Sequence, residues 1–263
     1  MDLACLLIGR EVDPALEVAD GLATLDSLAE VVGAGLPGDA TPAQIGRHLR
    51  STLGADVGFG GSAGDYDDLR SSLLHEVLRR RRGLPILLSV VWLEVARRLE
   101  VPAHGVGLPG HFVVGLGDPE SFDPTGGNPS SPAAGFALVD PFSGGVPVPP
   151  GEVYRMLGHA PSARDMRPAD TSRILLRILA NIGNWARRSD RVKTRLWAIE
   201  LTLLLPGCPD AVRREHGEAL ARAGDFAAAA SQLEAYADRV EEGQPLAART
   251  ARQEARMARA RLN

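Results

Sequence analysis

Apolar residues recur at helical spacing in three N-terminal stretches, residues 3–8, 14–19 and 21–32, with Asp and Gly between them. Asp13-Pro14 predicts an N-cap followed by proline at the first helical position. A Gly/Pro-rich break covers residues 33–39, and Thr41-Pro42 then opens a helix that ends near Gly54. After a glycine-rich loop at 58–64, Asp67 or Asp68 caps a predicted helix running to about Arg82. Its apolar face is Leu73, Leu74, Val77 and Leu78, and Gly83 is expected to end it in a left-handed conformation.

Pro85 opens the next predicted helix, 86–99. The run Ile86-Leu87-Leu88-Ser89-Val90-Val91-Trp92-Leu93 is apolar on every side, which places that helix inside a domain. Pro102 marks a change of period, with three short strands expected at 103–108, 111–116 and 136–139. The Gly-, Pro- and Ser-rich stretch 117–135 predicts a mobile loop, and Pro147 to Pro150 introduce a helix over 152–157. Helices first and antiparallel strands after them predict an α+β fold. From Thr171 the pattern is helical to the end, divided by Pro206-Gly207-Cys208-Pro209 and by Gly224-Asp225. The expected organisation is N-terminal helices over 1–38 packed on a core over 39–155, with a helical tail over 171–263.

Composition narrows the function classes. A net charge of −4 favours neither nucleic acid nor an anionic membrane, so neither is expected as a partner. No apolar stretch approaches the ~18 residues of a membrane span. The start, Met1-Asp2-Leu3-Ala4-Cys5, lacks a basic leader, and the two cysteines, Cys5 and Cys208, form no metal or redox spacing. A cytoplasmic location is the expectation. His48, His75, His104, His159 and His216 show no ligand spacing either, so no metal and no cofactor is expected. Arg79 to Arg82 close a helix, where positive charge suits the dipole, and Arg252, Arg256 and Arg259 form a stripe near the C-terminus. Each fits a solvated face or an acidic partner.

Gly105-Val106-Gly107-Leu108-Pro109-Gly110 has the spacing of a dinucleotide fingerprint, but that motif requires a helix after its glycines. The strand-like His111-Phe112-Val113-Val114 follows instead, so the segment predicts a tight turn that positions His111. His111 begins one strand and Asp140 ends another. On antiparallel neighbours the carboxylate could accept from one ring nitrogen and leave the other as a base. The residues alone also admit a structural histidine in a turn and an Asp140-Pro141 that merely ends a strand.

Three segments occur in order: Arg81-Arg82-Gly83-Leu84-Pro85-Ile86-Leu87-Leu88-Ser89, Leu108-Pro109-Gly110-His111-Phe112-Val113-Val114, and Val139-Asp140-Pro141-Phe142-Ser143-Gly144-Gly145. Upstream lie Ala4-Cys5-Leu6-Leu7-Ile8 and Tyr66-Asp67-Asp68 leading into Ser72-Leu73-Leu74-His75-Glu76. Together they resemble the bacterial Sir-B branch of the transglutaminase-like superfamily. The resemblance implies a papain-like α+β core with N-terminal helices. The tail segment from His216 to Ala228 is similar to one tetratricopeptide helix pair.

In active members of that superfamily a cysteine starts the buried helix, and a histidine and an aspartate come from adjacent strands. His111 and Asp140 match the latter two. The cysteine position falls at Pro85, and no cysteine is there. Ser71 is a further departure, standing where relatives often carry asparagine. Without a thiolate the acyl carbon has no attacking group, so thiol transglutaminase or protease activity is not expected. Ser89, one turn into the helix, is a substitute nucleophile or a serine bonded back to a carbonyl. Cys5 and Cys208 read as incidental thiols. The implied function is a non-catalytic protein that binds a protein or peptide through its cleft and helical tail. The alternative is a hydrolase or acyl-transfer enzyme that uses His111 and Asp140 without a protein thiol.

Overall fold

A computed structural model describes residues 1–125, 135–187 and 189–262. Their packing divides the chain into two compact units, Met1–Ile174 and Leu175–Asn263. The first is α+β, as the pattern of periods predicts. Helices α1 (Asp2–Gly9) and α2 (Val18–Gly33) pack on one another and on α4 (Leu74–Arg80) and α5 (Pro85–Arg98) respectively. Between them lies α3 (Pro42–Leu49), opened by a reciprocal capping box in which Thr41 accepts from Gln44 N and Gln44 from Thr41 N. A π-helical segment, Arg50–Asp56, continues α3. Gly54 in that segment lies so close to Gly144 that a Cβ would sit 2.0 Å from the Gly144 carbonyl oxygen.

Two local expectations are corrected. No helix starts at Pro14: residues 10–17 form turns before α2, and Ala15 N is bonded by the Asp13 carboxylate at 3.1 Å. That local side-chain bond offers the backbone an alternative to helix. The predicted helix from Asp68 to Arg82 is also interrupted. Asp68 caps a 3₁₀ turn, Leu69–Ser72, Leu73 is extended, and α4 then ends at Arg81, which takes the left-handed conformation itself (φ 59°). Gly83 is needed for space instead, since a Cβ there would meet Val77 Cγ2 at 2.6 Å and the Ser71 carbonyl oxygen at 3.2 Å.

Helix α5 is the centre of this unit. Ile86, Leu87, Leu88, Val90, Val91, Trp92 and Val95 are all at most 1% exposed, the outcome of an apolar run with no polar face to offer water. It lies against an antiparallel sheet in the order β1 (Ala103–Leu108), β2 (His111–Gly117), β3 (Phe136–Asp140) and β4 (Val146–Pro147). The first three are the strands expected from period-two patterning. The fourth has two residues and no pattern of its own. Leu108 pairs with His111 across a turn in which Gly110 is left-handed (φ 72°), so the Gly-rich segment is a hairpin and not a phosphate loop. One sheet face carries Leu116 and Val139 against α3. The other carries Val106, Leu108, Val113 and Leu138, buried with Val148, Met166 and Val153, the last from α6 (Pro150–Leu157). Part of the loop expected to be mobile, 126–134, lies outside the described residues. Its described start holds a 3₁₀ turn, Pro119–Ser121, capped by Asp118.

Helix α7 (Thr171–Trp185) begins in the first unit. The second unit continues with α8 (Val192–Leu203), α9 (Asp210–Ala223), α10 (Phe226–Val240) and α11 (Pro245–Ala260), in which α8 packs on α9, α9 on α10 and α10 on α11. Gly224 (φ 88°) ends α9 and Asp225 caps α10 through Ala228 N. Gly217 allows α9 to close on α10, where a Cβ would lie 2.6 Å from Leu233 Cγ. No helix among the described residues is long and apolar enough to cross a membrane.

Candidate functional site

The entry to α5 is tied through Gly60 and Gly61 to the segment after Asp140, and Ser89, one turn further on, is tied to β2. Leu84 is its N-cap and Pro85 its first residue, a position where the missing N–H has no helical partner to lose. Pro85 remains partly exposed while Ile86 and the residues after it are buried. Backbone bonds hold the approach: Leu84 N donates to Ser71 O at 2.9 Å, and Gly60 N donates to Arg81 O at 3.1 Å. The next amide, Gly61 N, donates to Phe142 O at 2.9 Å. Gly60 and Gly61 thus tie the entry of α5 to the segment that follows Asp140. Only glycine fits at Gly61, where a Cβ would sit 2.0 Å from the Phe142 ring and 2.8 Å from Gly83 O.

Asp140 ends β3, opposite Val146 of β4. The β2–β3 register pairs Val114 with Val139. One step further along that register, Asp140 falls opposite Val113, and His111 lies two residues away on the same face. Such diagonal neighbours are about 7–8 Å apart at the backbone, within reach of long side chains. The Asp140 carboxylate already has local work. Oδ1 accepts from Phe142 N at 2.9 Å and Oδ2 from Ser143 Oγ at 2.7 Å, which caps the 3₁₀ turn Pro141–Ser143. Each carboxylate oxygen keeps a second lone pair for an imidazole N–H. His111 itself is exposed at the hairpin end.

The remaining nucleophile candidates are placed elsewhere. Ser89 is 0% exposed, and its hydroxyl donates to Phe112 O at 3.2 Å, tying α5 to β2. Cys5 is buried in α1, where desolvation pushes its thiol up to about 12, so no thiolate forms at neutral pH. Cys208 belongs to the second unit, precedes α9, and its thiol is also raised by burial. Among the described residues no three His, Cys, Asp or Glu side chains group as metal ligands.

One constellation escaped the sequence reading. Asp65 is 2% exposed and accepts from Ser62 N at 2.7 Å, Ser62 Oγ at 3.1 Å, Ser71 Oγ at 3.1 Å and Arg82 at 3.1 Å. Burial alone would raise its pKa. The bonds from the Ser62 amide, Arg82 and the two serines outweigh that and hold the carboxyl below its usual range. Since Ser71 O also receives Leu84 N, Asp65 braces the peptide that enters α5. Ser62-x-x-Asp65 has capping-box spacing, a signal available in the sequence. Beside it the Tyr66 ring, 52% exposed, stands edge-on to Phe142 at 6.1 Å and adds an aromatic wall next to Gly61.

A buried helix packed on an antiparallel sheet is the layout of a papain-like α+β domain. A family model described as "Transglutaminase-like superfamily" matches residues 19–180, and the chain belongs to that superfamily. It is similar to a UPF0162 protein of Xylella fastidiosa, 33% identical over 204 residues, which cover 74% of this chain and 66% of that protein. A UPF0162 protein of Pseudomonas aeruginosa is 37% identical over 115 residues, 42% of this chain and 41% of that one. F-box only protein 21 of Mus musculus is 43% identical over 56 residues, 21% of this chain and 9% of that one. The chain thus spans 66% of the length of the first of these relatives. No solved structure matches.

Proposed function

We propose that this chain is a non-catalytic member of the transglutaminase-like superfamily, of its Sir-B branch, that binds a protein or peptide. The binding surfaces are the cleft at the start of α5 and a tetratricopeptide-like tail. One observation carries the reading: Pro85, which has no nucleophilic atom, occupies the first position of the buried helix where an active relative would place its thiol. The thiols that the chain does have are Cys5, buried and held protonated, and Cys208, in the other unit. The Tyr66–Phe142 wall gives the cleft an aromatic surface suited to holding a peptide.

The test is amine incorporation into a glutamine peptide, with thiol alkylation in parallel. No turnover above buffer is expected. Turnover that Cys5→Ser or Cys208→Ser abolishes would overturn the proposal. The ancestry is tested by Pro85→Cys, which puts a thiol at a helix N-terminus, where the dipole lowers its pKa. That thiol should be alkylated faster than Cys5 and Cys208, and His111→Ala should slow it. Equal rates in the two backgrounds would show that Pro85 is not the lost nucleophile position.

A second reading, an enzyme using His111 and Asp140 to activate water or a substrate nucleophile, has in its favour the β2–β3 register, which extended by one step from Val114–Val139 sets Asp140 opposite Val113 on the His111 face. Hydrolysis of an activated ester that falls to background in His111→Ala and in Asp140→Ala would favour it over the first.

A further inference from the structure

Helix α9 presents Ala211, Arg214, Glu215, Glu218 and Arg222 along one stripe, since spacings of three and four bring side chains to the same helix face. This stripe lines a cavity of about 500 Å³ within the second unit, a size typical of ligand sites. Arg195 of α8 and Arg187, which follows α7, complete the lining. Four guanidiniums therefore face two carboxylates. The apolar side chains that fill space between helices elsewhere in this unit are replaced here by Ala211 and charge.

The carboxylates present do not use up the donors. Arg195 reaches Glu215 at 3.4 Å through one terminal nitrogen, while its Nε is buried with no partner. Arg214 lies 3.2 Å from Glu218 and 2.7 Å from Glu254 of α11. Arg222 only approaches Glu218, at 3.9 Å. Arg187 has no carboxylate within ion-pair distance among the described residues. Each guanidinium has five N–H donors in a fork that matches a planar oxyanion. The cavity is open to solvent at its rim, where Arg222 is 54% and Arg214 33% exposed.

We infer that this cavity binds the carboxylates of an acidic peptide segment. The inference deepens the partner-binding reading above and rests on it for the ligand being a peptide. Carboxylate is favoured over phosphate by the walls themselves. Glu215 and Glu218 sit between the arginines and repel a dense dianion, whereas a single carboxylate matches the one-charge surplus that remains once Glu254 is also counted. The net charge of −4 likewise disfavours a polyanionic backbone such as nucleic acid.

The test is fluorescence anisotropy with the full chain and a labelled octapeptide of Asp and Glu. An octapeptide of Lys and inorganic phosphate serve as comparisons. Arg187→Glu and Arg222→Glu alter exposed side chains and should leave the circular dichroism spectrum unchanged. Each should weaken acidic-peptide binding about tenfold or more, the size of one charge-assisted bond. Glu218→Gln should tighten it, and added salt should weaken it. The inference is overturned if the acidic peptide does not bind at millimolar concentration, or if neither exposed variant changes its affinity. It is also overturned if inorganic phosphate displaces the peptide at equal concentration, which would make the cavity a phosphate site. These variants leave α5 untouched, so failure here is distinct from failure of the Pro85 reading.

Discussion

Helices α5 and α11 have similar lengths and are held by different physics. Helix α5 is enclosed by large side chains, with Leu87, Leu88, Val90, Val91 and Trp92 at 0% exposure. Helix α11 buries only Ala248, Ala251, Ala255 and Ala258, so its close approach to α10 is a contact of small residues. Its outer face is laced with ions instead: Arg252 bonds Asp238 and Glu241, and Arg259 bonds Glu234, all from α10 or the residue that follows it. The arginine stripe that could have served an acidic partner is thus partly spent within the unit. Apolar area stabilises the first helix at any ionic strength, whereas exposed ion pairs contribute little and are screened by salt. A cleft needs the first kind of support, because its geometry must survive binding.

Val90→Asp should have the largest effect. An unpaired carboxylate at the centre of α5 should cost about 3–5 kcal/mol and unfold the first unit, read by urea melts. A folded variant of near wild-type stability would mean that α5 is not the core. Next in size is Gly83→Ala. The added Cβ must displace Val77 or the Ser71 carbonyl, at about 1–3 kcal/mol, the usual cost of overpacking. A neutral result would show that the entry to α5 is loose.

Asp65→Ala removes the buried ionic contact that braces the entry to α5. It leaves Ser62 and Ser71 donors unmatched, a loss of about 1–3 kcal/mol. The pH dependence has a definite sign. The folded pKa of Asp65 lies below the unfolded value of about 3.9, so its contribution is complete above that value. It is lost as pH falls through the folded pKa. The stability gap between wild type and variant should therefore be constant near neutrality and close in acid. A gap that widens in acid would contradict the assignment.

The smallest effect is expected from Arg252→Ala. Its ion pairs with Glu241 and Asp238 are exposed, so the melting temperature should change little in low salt and not at all in high salt. A large, salt-insensitive loss would show that the ion lattice, and not the alanine contact, holds α10 and α11 together.

The order of elements was legible in the sequence, because periodicity and punctuation are local. The unbroken apolar run after Pro85 demanded a buried helix, the alternating runs 103–108, 111–116 and 136–139 demanded strands, and Gly224-Asp225 demanded a helix end followed by a cap. The position of Pro85 at a helix start was legible for the same reason. Features that join residues distant along the chain were not legible there, because long-range packing sets them. Arg81, not Gly83, turns left-handed, because Gly83 is claimed by the packing of Val77 and Ser71 against it. Asp140 caps its own turn as well as facing the side of the sheet that carries His111, and only the register of two strands could show the latter. Asp65, Ser71 and Arg82 meet though they span eighteen positions of chain, and four arginines of three segments converge on one cavity. Such convergence follows from long-range packing, which is set by the whole core and leaves no periodic trace in any one segment.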